Sequence, residues 1–552
     1  MRRWAQVSLL GLAVVVATSA GAKPAPRGRA KPAAARALMQ PHRTVLETTI
    51  RDDGHNTAVA GDDFSQKLAS RLDGILGSMS LKSAVNGVYV VDVASGAELY
   101  AYGADRQLNP ASNTKLVSTA TAFDALGADF AYATRLVGPP ADDDGVVHGD
   151  VRLIGESDPT LGPADLHDLA AHLAETGIRR ITGDVIVSSD ERDALAHAWI
   201  TVTVIGGDRD GEHAHVRVSP DSAFYLIDNT ARTVATTGKK KKKAQVSVDT
   251  AFVDGKGGER MRITVSGRVR PEQEVEVTRG VGRPSLYAAH TLRSAIIAAG
   301  IEVGGGARQV KDRPGEGGDD AIELARHESV PLSRLAALIN KPSNNFLADR
   351  LILTVAAITA GQRTMAAGVE AMSRWLGKVG IGPGSYRFEN GSGLSHTIHI
   401  SARQVAQVLM AGARDANIGK AWIDSLAIGG RDGTLRSRFA GHPVAGYIRG
   451  KTGTLNGVAA LSGFVTVGER SICFSVLTNG FRDRRKPAVR SGQAAIVDAI
   501  FGYLAEATPA APLPTLVPAA AEPETGVDSE DVTAPDDRPD EHVIEGNPGV
   551  QL

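Results

Sequence analysis

The chain is poor in cysteine and aromatics: Cys473 is the one cysteine in 552 residues, and Phe, Trp and Tyr together make up 5%. A lone cysteine excludes an intrachain disulfide, so Cys473 is expected as a small buried apolar residue. Neither sign of charge is in excess, with 61 Lys plus Arg against 62 Asp plus Glu. That balance gives no general pull toward nucleic acid or an anionic membrane, and a polyanion-binding role would need a local patch. No Gly-x-Ser-x-Gly elbow is present, which counts against an α/β-hydrolase with a Ser-His-Asp triad. His213 with His215, and His396 with His399, have no third ligand at a plausible spacing and no His-Glu-x-x-His helix, so no metal site is read from them. What remains is a globular composition, 42% apolar, with room for more than one core.

The longest apolar run near the start, VSLLGLAVVVATSA, follows Arg2 and Arg3 and precedes Ala20-Gly21-Ala22. It is short for a membrane span and has the form of an export signal, so residues 1–22 are expected to be cleaved and no stable membrane anchor is expected. The mature protein is then expected outside the cytoplasm, in a periplasm or secreted. Residues 23–60, rich in Ala, Pro and basic side chains, are expected as a linker, and the Pro/Ala/acidic tail 507–552 as disordered.

Between these lies a folded part that changes character twice. GVYVVDVASGAELYAYG (87–103) has the pattern of two strands around a turn at Ser95-Gly96, and a helix is expected from about Ser112 to Leu126. Residues 141–325 are mostly short strand-like pieces, with helical patterning only at 163–176 and 285–300. Helices return in LSRLAALIN, NFLADRLILTVAAITAG and ARQVAQVLMAGARD. Strands then close the chain before a last helix, VRSGQAAIVDAIFGYLA. This order suggests an α+β domain over 61–140 and 326–506, its sheet completed by the C-terminal strands, interrupted by a mostly β insertion over 141–325.

Three short motifs carry chemistry. Ser112-Asn113-Thr114-Lys115 places a hydroxyl and an amine at positions i and i+3 of the expected helix, on one face. A lysine held neutral can serve as the base that a serine nucleophile needs, and a helix N-terminus stabilises developing negative charge. Alone, the motif reads more readily as an N-cap serine with a solvated lysine. Ser343-Asn344-Asn345 opens an apolar helix after Pro342. It is either a cap or a proton relay through Ser343 with the Asn345 amide holding a substrate carbonyl. Lys451-Thr452-Gly453-Thr454 is expected at the start of a strand. There, Lys451 and Thr452 would clamp a carboxylate, Gly453 would leave room for ligand against the strand, and the Thr454 N–H would enter an oxyanion hole. Its bland reading is a lysine in a hairpin.

In this order the three motifs resemble the signature of serine penicillin-recognising enzymes. Their flanks, PASNTKLVSTATAFDALG, NKPSNNFLADRL, NGSGLS (390–395), GGRDGTLRSRF (429–439) and RGKTGTLNGVAALSGFV, resemble the D-alanyl-D-alanine carboxypeptidase/endopeptidase family of the class C, low-molecular-mass type (peptidase S13 type). The long stretch between Ser112 and Ser343 fits the large insertion of that family. The resemblance implies a serine β-lactamase/penicillin-binding-protein-like transpeptidase fold, with an antiparallel sheet flanked by helices and an all-α part. It implies Ser112 as acylated nucleophile, Lys115 as base, and Ser343 and Asn345 as relay and positioning pair. Lys451, Thr452 and Gly453 would hold the substrate carboxylate, and the N–H groups of Ser112 and Thr454 would form the oxyanion hole. Peptidoglycan stem peptides as substrate, β-lactams as inhibitors and no metal or organic cofactor are implied with it. The insertion departs from the family pattern: it keeps Trp199 but lacks Tyr-Gly-Ala-Pro, so the stem-peptide side chain is not implied. A non-hydrolytic scaffold that binds penicillin or wall peptide, or an esterase or β-lactamase using the same serine, are the alternatives. The lysine run Lys239 to Lys243 is expected as a solvated loop.

Overall fold

The computed structural model describes residues 63–196, 199–234, 245–255, 258–311 and 321–507. The expected signal peptide and linker, the tail beyond Ala507, and Lys239 to Lys243 lie outside the described residues.

An antiparallel sheet of six strands organises the site. Its order is Ala427–Ile428, Ile448–Leu455, Val458–Val467, Arg470–Asn479, Val85–Asp92 and Glu98–Tyr102. The N-terminal hairpin thus pairs directly with the last C-terminal strand, as the order of sequence patterns suggested. Side chains on successive residues point to opposite faces of a strand, so each central strand serves two cores. Leu461, Val465, Phe474 and Val476 pack with Val88 and Val90 against apolar residues of the Asp63–Leu76 and Lys486–Ala507 helices. Ala460, Phe464, Cys473 and Leu477 face the other way, onto the Thr114–Leu126, Asn345–Ala360 and Ala402–Arg414 helices. Cys473 is fully buried in that second core, where an apolar role was expected of it.

A third core is built only from residues between Leu136 and Ala325. It contains a five-stranded sheet ordered Ala307–Val310, Val185–Ser188, Val151–Ile154, Ala133–Gly138 and Ile322–Glu328, further strands that include the long antiparallel pair Gln245–Gly255 and Gly258–Val269, and two α-helices, Pro163–Glu175 and Pro284–Ala298. Ala133–Gly138 pairs antiparallel with Ile322–Glu328, so the chain enters and leaves this region on neighbouring strands. That geometry lets a long segment sit between two helices without disturbing either. Asp150 and Asp184 together hold Arg308 at 2.7 and 2.6 Å.

Candidate active site

Ser112 lies in a 3-10 turn, Ala111–Asn113, immediately before the Thr114–Leu126 helix rather than inside it. Asparagines fix this turn. The Ala111 N–H donates to Asn109 Oδ1 (2.8 Å), and the Asn109 N–H donates to Asn479 Oδ1 (2.7 Å). Asn479 returns a bond from Nδ2 to the Asn109 carbonyl at 3.1 Å, tying the turn to the end of a central strand. Below it, Asn113 Nδ2 donates to Ser462 Oγ (2.7 Å), which donates to Ser475 Oγ (2.9 Å). Buried polar groups need such partners, so this chain fixes the turn on the sheet. Ala111 has φ of 45°, a left-handed conformation that side chains disfavour and that tends to occur at functional sites.

The Lys115 side chain is fully buried, and its Nζ lies 3.0 Å from Ser112 Oγ, 2.6 Å from Asn345 Oδ1 and 2.6 Å from the Ser392 carbonyl oxygen. Burial lowers the pKa of this amine to about 7, while the Asp349 carboxylate pulls in the opposite direction. Two of the three neighbours are carbonyl-type acceptors. A neutral amine has two N–H bonds for them and one lone pair left, aimed at Ser112.

The second motif divides its labour. Asn344 is the cap, accepting the Leu347 N–H at 3.0 Å, which frees Ser343 and Asn345 from that task. Ser343 is in the left-handed region, φ 65°, and its Oγ lies 2.8 Å from Lys451 Nζ. Lys451 is fully buried and also donates to the Thr452 carbonyl (2.9 Å). Burial, and then the nearby Lys115 charge, hold its amine well below the usual lysine range. All three motifs therefore meet.

The third motif lies in mid-strand, within Ile448–Leu455, not at a strand start. The expectation for Gly453 is also corrected. A Cβ there would collide with the Pro110 carbonyl oxygen and crowd Ala111, so the missing side chain lets the strand abut the nucleophile turn rather than leaving room for ligand. Thr452 Oγ1 donates to Thr434 Oγ1 at 2.8 Å. The Ala427–Ile428 strand covers only Arg449 and Gly450. Among the described residues no strand pairs with the outer edge from Lys451 to Leu455, where an extended peptide can add its own backbone.

Residues that chemical reasoning on the three motifs did not single out complete the site. Asp349 Oδ1 accepts the N–H groups of Gly391 (2.9 Å) and Ser392 (2.8 Å), which aims the Ser392 carbonyl at Lys115. Their sequence signals were only the flanks NGSGLS, which holds Gly391 and Ser392, and NKPSNNFLADRL, which holds Asp349. Trp199, kept in the departed insertion, is 64% exposed and lies against Gly280. It lines a cavity of about 300 Å³ with Asp158, Phe346 and Arg350, beside the start of the helix that carries Asn345. Away from the site, Asp165, Asp168 and His327 converge. There Asp165 Oδ2 accepts the Gly162 N–H (2.7 Å) and Oδ1 lies 3.5 Å from His327 Nε2, which is a helix cap with a polar side-chain contact.

A half-buried serine on a buried lysine, with a second Ser-Lys pair beside a sheet edge, is an arrangement suited to acyl transfer. The D-Ala-D-Ala carboxypeptidase 3 (S13) family model matches residues 68–500. The chain belongs to this family. The S13 chain is 32% identical over 523 residues to the D-alanyl-D-alanine carboxypeptidase of Actinomadura sp. (strain R39), covering 87% of this chain and 91% of the relative. It is 27% identical to carboxypeptidase DacB of Mycolicibacterium smegmatis over 71% of this chain and 75% of the relative. In fold it is similar to penicillin binding protein 4 (dacB) from Haemophilus influenzae, solved in complex with a β-lactam. The TM-score is 0.60 at 22% identity, covering 79% of this chain and 99% of that one. The S13 chain thus has the α+β penicillin-binding fold and is a serine-type D-Ala-D-Ala peptidase of peptidoglycan. No helix among its described residues is long and apolar enough to cross a membrane.

Proposed function

We propose that the peptidase works through an acyl-enzyme on Ser112, with Lys115 as its base; the reading is carried by the buried Lys115 amine 3.0 Å from the Ser112 hydroxyl. Ser112 Oγ attacks the carbonyl carbon of the D-Ala-D-Ala bond and its proton passes to neutral Lys115. The N–H groups of Ser112 and Thr454 hold the oxyanion. The proton taken up by Lys115 passes on through the Ser343 hydroxyl, kept in place by Lys451, to the leaving nitrogen, so that the C–N bond breaks to release D-alanine and Lys115 is neutral again. Water then attacks the Ser112 ester, giving its proton back through Lys115, and the shortened peptide leaves. Asn345, with Oδ1 occupied by Lys115, uses Nδ2 to orient the substrate carbonyl. Lys451 and Thr452 attract the terminal carboxylate, and Gly453 brings their strand onto the nucleophile turn.

β-Lactams acylate the same serine and inhibit the enzyme. The catalytic domain is 63–132 with 329–506, and the inserted domain that offers the Trp199 cavity to the stem peptide takes in 133–328 rather than 141–325, since its first and last strands pair with each other. The protein is exported to the periplasm, a reading that rests on residues 1–22. D-Alanine release from a pentapeptide tests the assignment: Ser112→Ala is expected to fall to background. A variant within tenfold of wild type would contradict it.

A further inference from the structure

The Lys486–Ala507 helix packs on the face of the sheet opposite the nucleophile. Thr452 and Thr454 share one face of their strand, two residues apart, while Lys451 and Gly453 occupy the other. On the threonine side, Arg490 reaches from the helix and donates from Nη2 to Thr454 Oγ1 at 3.0 Å. Its neighbours are committed elsewhere. Lys486 pairs with Asp483 at 3.1 Å, and Arg485 is bound to Ser83 and the Met79 carbonyl. Arg490 is exposed and, among the described residues, has no ion-pair contact with a carboxylate.

A second guanidinium stands close by. Arg438 donates from Nη2 to the Arg490 carbonyl (3.2 Å) and to Gln493 Oε1 (2.9 Å). Burial, and then the Arg490 charge, lower its pKa, and of the carboxylates Asp483 feels the Arg490 charge without forming an ion-pair contact with it. Such a place favours an anion, and a guanidinium matches a carboxylate in shape as well as charge.

We infer that Arg490, held by the Thr454 hydroxyl at the unpaired edge of the Ile448–Leu455 strand, is a specificity-determining residue that binds the substrate's terminal carboxylate. This rests on the peptidase reading above and adds a cation supplied from outside the three motifs. Lys451 is buried with its amine 2.8 Å from Ser343 and 2.9 Å from the Thr452 carbonyl, whereas Arg490 is exposed with donors to spare. Arg490 therefore adds a charge-assisted contact to the attraction of Lys451 and Thr452, and Lys451 also orders Ser343.

The test compares diacetyl-L-Lys-D-Ala-D-Ala with its C-terminal carboxamide, in wild type, Arg490→Gln and Arg490→Lys. The readout is the ratio of kcat/KM for carboxylate over carboxamide. Loss of a charged hydrogen-bonded contact is expected to lower this ratio by ~10- to 100-fold in Arg490→Gln, mainly through KM. Arg490→Lys, which keeps the charge but not the fork, is expected to restore part of it. An unchanged ratio in Arg490→Gln, whether both substrates slow together or neither does, would overturn the inference and leave the peptidase reading standing. No D-alanine release by the wild type would overturn both.

Discussion

Lys115 Nζ sits 3.0 Å from Ser112 Oγ, and its two other polar neighbours, Asn345 Oδ1 and the Ser392 carbonyl, are both acceptors. Three acceptors can serve either form of the amine, and it is burial, by excluding water, that favours the unprotonated one. A lysine in solution titrates near 10.5, and at neutral pH almost none of it would be a base; here the value is about 7.

A pH profile follows from the sign of that shift. Protonation below about 7 removes the base, so acylation by a β-lactam is expected to fall tenfold per pH unit on the acid side. Asp349 raises the Lys115 pKa, so Asp349→Asn, which can keep an acceptor for Gly391 and Ser392, is expected to move this limb to lower pH. Stopped-flow acylation rates between acid and neutral pH check both; a limb that stays put or moves upward in the variant would contradict the Asp349 effect.

Gly453→Ala places a methyl group against the Pro110 carbonyl oxygen, a backbone atom that cannot swing aside. The strand and the nucleophile turn must separate, and overpacking of this kind is expected to destabilise by about 1–3 kcal/mol. Thermal melting and the acylation rate should fall together. A variant with wild-type melting and wild-type acylation would show that the two elements are not in contact.

Asn479 closes a reciprocal pair with the Asn109 backbone far along the chain. Asn479→Ala leaves the Asn109 N–H and carbonyl short of a partner, for an expected loss of about 1–3 kcal/mol in urea unfolding. Acylation is also expected to slow, since Asn109 Oδ1 fixes Ala111 beside Ser112.

The three motifs were legible because each keeps its chemistry within four residues, and a helix or strand fixes how those residues face. The strands of 87–103 and the helices at 163–176 and 285–300 were legible through simple periodicity, and the structure has them within two residues. The Asp63–Leu76 and Met365–Lys378 helices were not read, although both are amphipathic. Ser392 escaped because its part is played by a backbone carbonyl, which no side-chain pattern announces. Asp349 lies one helical turn beyond Asn345, and nothing local shows that its carboxylate accepts the distant Gly391 and Ser392 N–H groups. Gly453 was read correctly as a close approach, but of the wrong body: the approaching group is the protein's own Pro110. Contacts between distant segments set that choice, and local sequence does not record them.

The most direct test is the intact mass of the protein after incubation with benzylpenicillin, wild type beside Ser112→Ala. The expected result is a wild-type adduct of one penicilloyl group that is absent from Ser112→Ala and strongly slowed in Lys115→Ala. An adduct that persists in Ser112→Ala would place the nucleophile elsewhere, and with it the central claim would fall.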